Sequence, residues 1–286
     1  MNRGKAFQNT VIRPDTVRVI TPSKGWRSLN LRELLAYREL LGLLVWRDVS
    51  VRYKQSIVGI GWAIVQPIMT MILFTIIFGR FANLPSDGIP YPIFTYCALL
   101  PWNYFARSLG DSSDSLVGSS HLITKVYFPR LVLPISKAFS GLIDFSIAFI
   151  FLLGMMIWYR IPPTLGIFLL PFFIGIALLA ALGAGFWFTA LNVKYRDIKF
   201  VVPFIVQFWM YASPVAYSTS IIPERWRLLY GLNPMVGVIE GFRWALLGKE
   251  PPKIEMILIP LIIIMCVFVS GLYYFKKMER TFADII

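Results

Sequence analysis

Long apolar runs separated by short polar segments are the feature that most restricts the fold of this sequence. The runs occupy about 57–79, 131–158, 165–192, 200–217 and 254–275, and another begins near Ile93. A run of roughly 20 apolar residues spans the hydrocarbon core of a bilayer as a helix. A transmembrane β-barrel would instead show shorter segments of alternating polarity, and that pattern is absent. The sequence therefore predicts an all-α integral membrane protein with six transmembrane helices.

Basic residues are distributed unevenly between the connecting segments, and this predicts the orientation. The formal net charge is +13, which in a soluble protein would suggest a nucleic-acid partner. Here 19 of the 28 lysines and arginines lie before the first run, in 121–130, in 194–199 or after the last run. Cytoplasmic loops carry such an excess. We therefore expect a multi-pass protein of the cell inner (plasma) membrane, with both termini cytoplasmic and no nucleic-acid partner.

The segment before the first run divides into two parts. Residues 1–28 are polar and basic, without an apolar stretch near Met1, which predicts a flexible tail rather than a signal peptide. Residues 29–56 carry leucines at helical spacing and end in a basic collar. This pattern favours an N-terminal amphipathic helix in the membrane interface, or a helix packed on another protein. Residues 57–286 would then form the six-span domain.

The sequence contains no evident catalytic constellation or ATP site. The phosphate loop G-x-x-x-x-G-K-[ST] and the fingerprint G-x-G-x-x-G are absent. His121 is the only histidine, and Cys97 and Cys266 lie in separate apolar runs, so we expect no metal site and no cofactor on this chain. Asp111 and Asp114 have the residue type to hold a metal diphosphate in a membrane glycosyltransferase, but a helix end explains them more simply.

Four segments carry a resemblance to a known family. They read RYKQSIVGIGW from Arg52, LITKVYFPR from Leu122, NVKYRD from Asn192 and LNPM from Leu232. These segments resemble the start of the first span, the cytoplasmic coupling segment, the loop between spans four and five, and the outer re-entrant region of one family. That family is the ABC type-2 permeases of polysaccharide and polyol-phosphate export, such as O-antigen or teichoic-acid exporters.

The resemblance implies a transport subunit rather than an enzyme. Two copies would pair as a homodimer around a central conduit, and two separate ATPase subunits would bind ATP and Mg. The substrate would be a lipid-diphosphate-linked polysaccharide of the O-antigen type, with teichoic-acid or capsular polymers as alternatives. An ATP-independent lipid-glycan flippase usually has more spans and an internal repeat. An enzyme of lipid-glycan assembly would need the acid/base or metal cluster that is missing.

Two connecting segments receive roles from this resemblance. The segment from Ser119 to Phe128 is expected to dock in a cleft of the ATPase, through the candidate coupling residues Ser119, His121, Lys125, Tyr127 and Phe128. Residues 218–248 are too apolar for free solvent, and their prolines predict two short re-entrant outer helices that close the conduit. The candidate outer-gate residues are Trp226, Asn233, Pro234 and Trp244.

The cations of the basic collar have two interpretations. Arg47, Arg52 and Lys54 either anchor the first span at the inner surface or hold the lipid diphosphate at the inner entrance, because clustered cations bind phosphate oxygens strongly. Both interpretations can hold together.

Aromatic and charged residues inside the spans also have two interpretations each. The rings either pack within the protein or line a conduit on which sugar faces stack, and the candidates for that wall are Trp62, Phe74, Phe204, Phe208 and Tyr211. Asp144 lies mid-way through a span, where a charge is normally paired or functional. Its candidate partners are Lys137, seven residues earlier, and Arg107.

Overall fold

A computed structural model describes residues 31–54, 59–249, 251–252, 254–279 and 281–282. The predicted flexible segment 1–28 and residues 29–30 and 55–56 of the predicted interfacial region lie outside these residues. Within the described part, every regular element is a helix, as predicted. The α-helices are α1 (Leu31–Ala36), α2 (Arg38–Lys54), α3 (Trp62–Phe74), α4 (Tyr91–Asp114), α5 (Ser120–Lys125), α6 (Val132–Tyr159), α7 (Leu170–Lys194), α8 (Ile198–Tyr211), α9 (Glu224–Tyr230), α10 (Pro234–Leu247) and α11 (Glu255–Met278).

Helix α4 lies at the centre and packs against α3, α6, α7, α8 and α10. Sixteen of its 24 residues are buried, so little of its surface is left to contact lipid and needs to be apolar. The ring of Tyr104 packs 5.9 Å from Phe145 of α6, and Phe105 packs 5.2 Å from Trp209 of α8. Its polar groups bond to neighbouring helices, as where Ser112 donates to the Pro134 carbonyl at 3.0 Å. Burial by protein therefore explains why this helix is less apolar than its neighbours.

Small residues allow α7 and α11 to approach closely. A Cβ atom added to Gly271 of α11 would collide with the Gly183 carbonyl of α7, and one added to Gly183 would lie 3.0 Å from Phe268 Cα. Helices in membranes associate through such small-residue contacts, because lipid tails provide no hydrophobic force between helices. The crossing fixes the last predicted span against the rest of the bundle.

Four described helical segments are long and apolar enough to cross a membrane. They are Trp62–Phe81, which continues α3 through a π-helical stretch at Thr75–Phe81, then Val132–Tyr159, Leu165–Lys194 and Glu255–Met278. The sequence predicted six spans, and the other two positions are occupied by α4 and α8. Helix α4 contains three charged residues, and α8 has 14 residues.

The predicted interfacial segment forms two helices, α1 and α2. Leu44 and Val49 of α2 are buried, while Leu43 and Trp46 are exposed. Helix α2 packs along α6. Its apolar residues therefore divide between a face that contacts the protein and a face that is open.

The bundle has two ends. The collar end contains the last turn of α2, the end of α4, α5, the turn between α7 and α8, and the end of α11. The cap end contains the 82–90 loop, the 160–164 turn, α9 and α10. At the cap end, 12 of the 14 residues of α10 are buried. The two short helices predicted around Asn233-Pro234 are thus present as α9 and α10, and α10 packs on α4, α7 and α11.

Candidate functional site

A cluster of charges at the collar end joins α2, α4 and α6. Asp144 of α6 is the centre of this collar cluster, and only 9% of its side chain is exposed. Its carboxylate accepts hydrogen bonds from Arg52 and Tyr53 of α2. Nη1 of Arg107 in α4 lies 3.0 Å from Oδ2 of the same carboxylate, and Nη2 of Arg52 lies 3.0 Å from Oδ2 of Asp111. A carboxylate between two guanidinium groups is the arrangement that makes a charge tolerable within a span.

A second ion pair extends the collar cluster along α2. Lys137 of α6 lies 2.9 Å from Asp48, which also accepts from Arg47 at 3.0 Å. Of the two partners predicted for Asp144, Arg107 contacts it and Lys137 does not. The physical reason is that seven helical residues span about 10 Å, which places Lys137 beside an earlier turn of α2.

The collar cluster changes the interpretation of the predicted diphosphate entrance. Arg52 contacts two carboxylates, which supports its role as an anchor, and its role in holding the diphosphate stays a prediction. Arg47 contacts Asp48. Lys54 is exposed and forms no ion pair with any described residue. Asp111 and Asp114 are also engaged separately, because Asp114 accepts from Asn192 at 2.8 Å.

The predicted coupling segment is partly exposed and partly buried. His121, Lys125 and Tyr127 project from the collar end, with Tyr127 65% exposed. Ser119 and Phe128 are buried at 4% and 5% exposure, so their assignment as docking residues is corrected. Phe128 packs in an apolar cluster with Leu131, because the chain turns there into α6. These two residues anchor the segment, and the other three form its free surface.

Rings along α8 form an exposed aromatic surface. Phe200, Phe204 and Phe208 are each 70–72% exposed and Tyr211 is 53% exposed. We call these four residues the aromatic row. Trp62, at the start of α3, is also 55% exposed.

Phe74 does not belong to such a surface, which corrects its assignment to the conduit wall. It is 4% exposed, and its ring meets Phe78 edge-on at 5.2 Å. It lies on the face of α3 that packs into the core around α4. Helical spacing did not reveal which face of α3 would be covered.

The predicted outer-gate residues have different environments. Asn233 accepts from the Met235 amide at 3.0 Å and from Trp209 Nε1 of α8 at 2.9 Å, and donates to Ser213 Oγ. Pro234 begins α10, where a missing amide hydrogen costs nothing. Trp226 is exposed, and Trp244 packs 6.5 Å from Phe173. Asn233 and Pro234 therefore connect the start of α10 to the end of α8 that lies toward the cap end.

A second charged cluster, at the cap end, was missed in the sequence. Arg243 of α10 is fully buried, lies 3.6 Å from the ring centroid of Phe94, and donates to Glu240 at 2.9 Å. It also donates to the carbonyls of Val215 and Tyr217. The signal was available, because Glu240 and Arg243 are three residues apart in an otherwise apolar helix.

Lys249 connects this cluster to the loop before α4. It forms an ion pair with Asp87, which also accepts from Ser218 Oγ at 2.5 Å. Burial raises the pKa of Asp87, but hydrogen bonds from Lys249 and the serines outweigh it, so the pKa lies below its ordinary value. The pair ties together two loops that are far apart in sequence.

Comparison with known proteins identifies the family. Residues 39–247 match the family described as ABC-2 type transporter. The chain belongs to this family. The match begins in α2 and ends with α10, so it contains the collar cluster, the aromatic row and the cap-end cluster. The family predicted from the four sequence segments is confirmed.

Three relatives of this ABC-2 chain are named as export proteins. The O-antigen export system permease protein RfbA of Myxococcus xanthus is 29% identical over 90% of this chain and 98% of its own length. The protein of the same description from Klebsiella pneumoniae is 30% identical over 91% of this chain and 100% of its own length. The capsule polysaccharide export inner-membrane protein CtrC of Neisseria meningitidis is 22% identical over 79% of this chain and 85% of its own length.

Proposed function

We propose that this chain is the membrane subunit of an ATP-driven exporter of lipid-diphosphate-linked polysaccharide. The observation that carries the proposal is the similarity to O-antigen export permeases over 98–100% of their own length. Similarity over a whole permease, rather than one motif, favours the same kind of task. Because the sequence contains no phosphate loop, ATP and Mg²⁺ would bind to separate ATPase subunits.

The proposed topology has six spans, with both termini in the cytoplasm. Helix α4 would count as a span because protein surrounds it, so its charges are not exposed to lipid. Helix α8 is about 21 Å long at 1.5 Å per residue, and the residues after it continue toward the cap end. The collar end would face the cytoplasm, since it carries the exposed cations. The cap end, with α9 and α10 as short re-entrant helices, would face outward.

A homodimer would supply the conduit. The aromatic row of α8 is exposed and has no facing wall among the described residues of one chain. A second copy related by a two-fold axis would place the same row opposite. Aromatic rings are suited to a sliding polymer, because they contact sugar faces without fixed hydrogen bonds. Trp62 would lie at the inner mouth of this conduit.

The ATPase would dock at the collar end. The exposed residues His121, Lys125 and Tyr127 present a mixed polar and aromatic surface, and buried Phe128 fixes the base of their segment to α6. A rigid attachment is needed if movement of the ATPase is to reach the spans. Residues 31–54 would lie at the cytoplasmic membrane surface beside this site, with Leu43 and Trp46 toward lipid.

Purification of the chain from its native membrane, followed by mass spectrometry of what it retains, tests the proposal. We expect an ATPase in equal stoichiometry and a polyprenyl-diphosphate glycan. A capsular polymer or a teichoic-acid polymer in place of an O-antigen would narrow the substrate within the same function. Retention of a glycolipid without any ATPase would instead favour an ATP-independent flippase.

A further inference from the structure

We infer that the turn between α7 and α8 is the site that receives the anionic diphosphate head of the substrate at the collar end. This inference rests on the proposed function and assigns the head group to residues other than the basic collar. Three exposed cations, Lys194, Arg196 and Lys199, lie within six residues around one carboxylate, Asp197. We call this segment the basic turn. Among the described residues, none of the three cations forms an ion pair.

The collar cluster engages Arg52, one of the competing cations of the basic collar. Arg52 is held by Asp144 and Asp111, and a diphosphate would have to displace both carboxylates to reach it. The cations of the basic turn can bind an anion without breaking an ion pair to any other described residue. Charge-assisted hydrogen bonds from lysine and arginine to phosphate oxygens are among the stronger polar contacts in proteins.

The basic turn is held in place by its neighbours. Trp187 of α7 stacks on Tyr274 of α11 at 4.5 Å, and its Nε1 donates to Ser270 at 3.2 Å. Asn192, one turn later on the buried face, donates to Ser113 and Asp114 of α4. The chain then reverses at once, since the Ile198 amide donates to the Tyr195 carbonyl at 3.2 Å. A preorganised turn loses little entropy on binding.

The order of groups along α8 matches the order of groups along the substrate. The Lys199 ammonium lies 5.3 Å from the ring centroid of Phe200, the first ring of the aromatic row. The next rings, Phe204 and Phe208, follow at intervals of about 6 Å along the helix axis. A diphosphate on the basic turn would therefore place the first sugars against the aromatic row. A lipid-linked glycan has this same sequence of charge followed by sugar.

The test measures lipid binding to the complex of the full chain with its co-purifying ATPase, in phosphatidylcholine nanodiscs. The probes are a polyprenyl diphosphate, the matching monophosphate and phosphatidylglycerol. We expect Lys199→Gln to weaken diphosphate binding about fivefold and the triple glutamine variant of the basic turn about a hundredfold. Lys277→Gln is the matched control, because Lys277 is an exposed cation on the last turn of α11. It should change binding by less than roughly twofold.

Each other outcome overturns the inference in a different way. Equal loss in Lys277→Gln, or competition by phosphatidylglycerol as strong as by diphosphate, would show a general attraction to anionic lipid. Loss of the ATPase from the triple variant would show a protein contact. Normal binding by both basic-turn variants would place the head group elsewhere. If the wild-type complex itself does not bind the diphosphate, the proposed substrate class and the inference that rests on it are both overturned.

Discussion

Replacing Asp144 with asparagine removes the charge at the centre of the collar cluster while keeping the size of the side chain. The guanidinium groups of Arg52 and Arg107 would then share a region without their common carboxylate. Removing one partner of a buried ion pair costs about 3–5 kcal/mol, because the other charge stays buried. Here the cost is smaller, since Arg52 keeps Asp111 and 40% of the Arg107 side chain is exposed. We expect a loss of about 2–3 kcal/mol.

Thermal unfolding of the detergent-solubilised protein measures this loss. For a chain of 286 residues, about 2–3 kcal/mol corresponds to a fall in Tm of about 3–5 °C. The matched variant is Asp111→Asn, which removes a carboxylate that is 36% exposed and contacts only one guanidinium. It should cost less than about 1 kcal/mol. An Asp144→Asn protein as stable as wild type, or an Asp111→Asn protein that is the less stable of the two, would refute the reasoning.

Three further predictions follow from the packing, the cap-end loops and α8. Gly271→Ala should lower stability by at least about 1 kcal/mol, because the new methyl group meets the Gly183 carbonyl. Gly175→Ala should leave stability unchanged because the space there is open, and equal melting curves for the two variants would contradict the close helix crossing. The pKa of Asp87 is lowered, so its ion pair should stabilise the protein at pH values above the ordinary carboxyl pKa, and this stabilisation should be lost as pH falls through the folded-state pKa. Asp87→Asn should remove this part of the acid sensitivity in unfolding experiments from pH 6 to 3, and an unchanged pH profile would count against the pair. Replacing Phe204, Phe208 and Tyr211 together with alanine should slow polymer export, because each stacking contact is worth about 1 kcal/mol, and should leave Tm unchanged, because the rings are exposed. Normal export by this variant would show that the rings face lipid or pack against protein.

The helical class and the positions of the helices follow from local sequence patterns. Long apolar runs predicted α3, α6, α7 and α11, and Asn233-Pro234 predicted the start of α10. These features depend on residues close together in the chain. Because hydropathy and turn chemistry act locally, they can be read without knowing the partner of any residue.

The partners across the bundle could not be read in this way. Asp144 was correctly expected to need a cation, but Arg52 lies 92 residues away and had been given another role. Phe74 and Phe204 have equivalent spacing signals, yet one is buried and the other is open. Which helix face is covered depends on the neighbouring helices, and a single sequence does not contain that arrangement in its periodicity. The spacing of Glu240 and Arg243 was available in the sequence and was missed, whereas the contact of Arg243 with Phe94 of α4 depends on the neighbouring helices.

The location of the polymer in cells that lack this chain tests the central claim most directly. In cells depleted of the protein, the lipid-linked glycan is measured by mass spectrometry at the cell surface and in the inner membrane, where a membrane-impermeant label reports its leaflet. We predict that glycan accumulates on the cytoplasmic leaflet and disappears from the cell surface, and that the wild-type chain restores export only when the ATPase can hydrolyse ATP. Normal amounts of surface polymer in depleted cells, or restoration of export with an ATPase that cannot hydrolyse ATP, would contradict it.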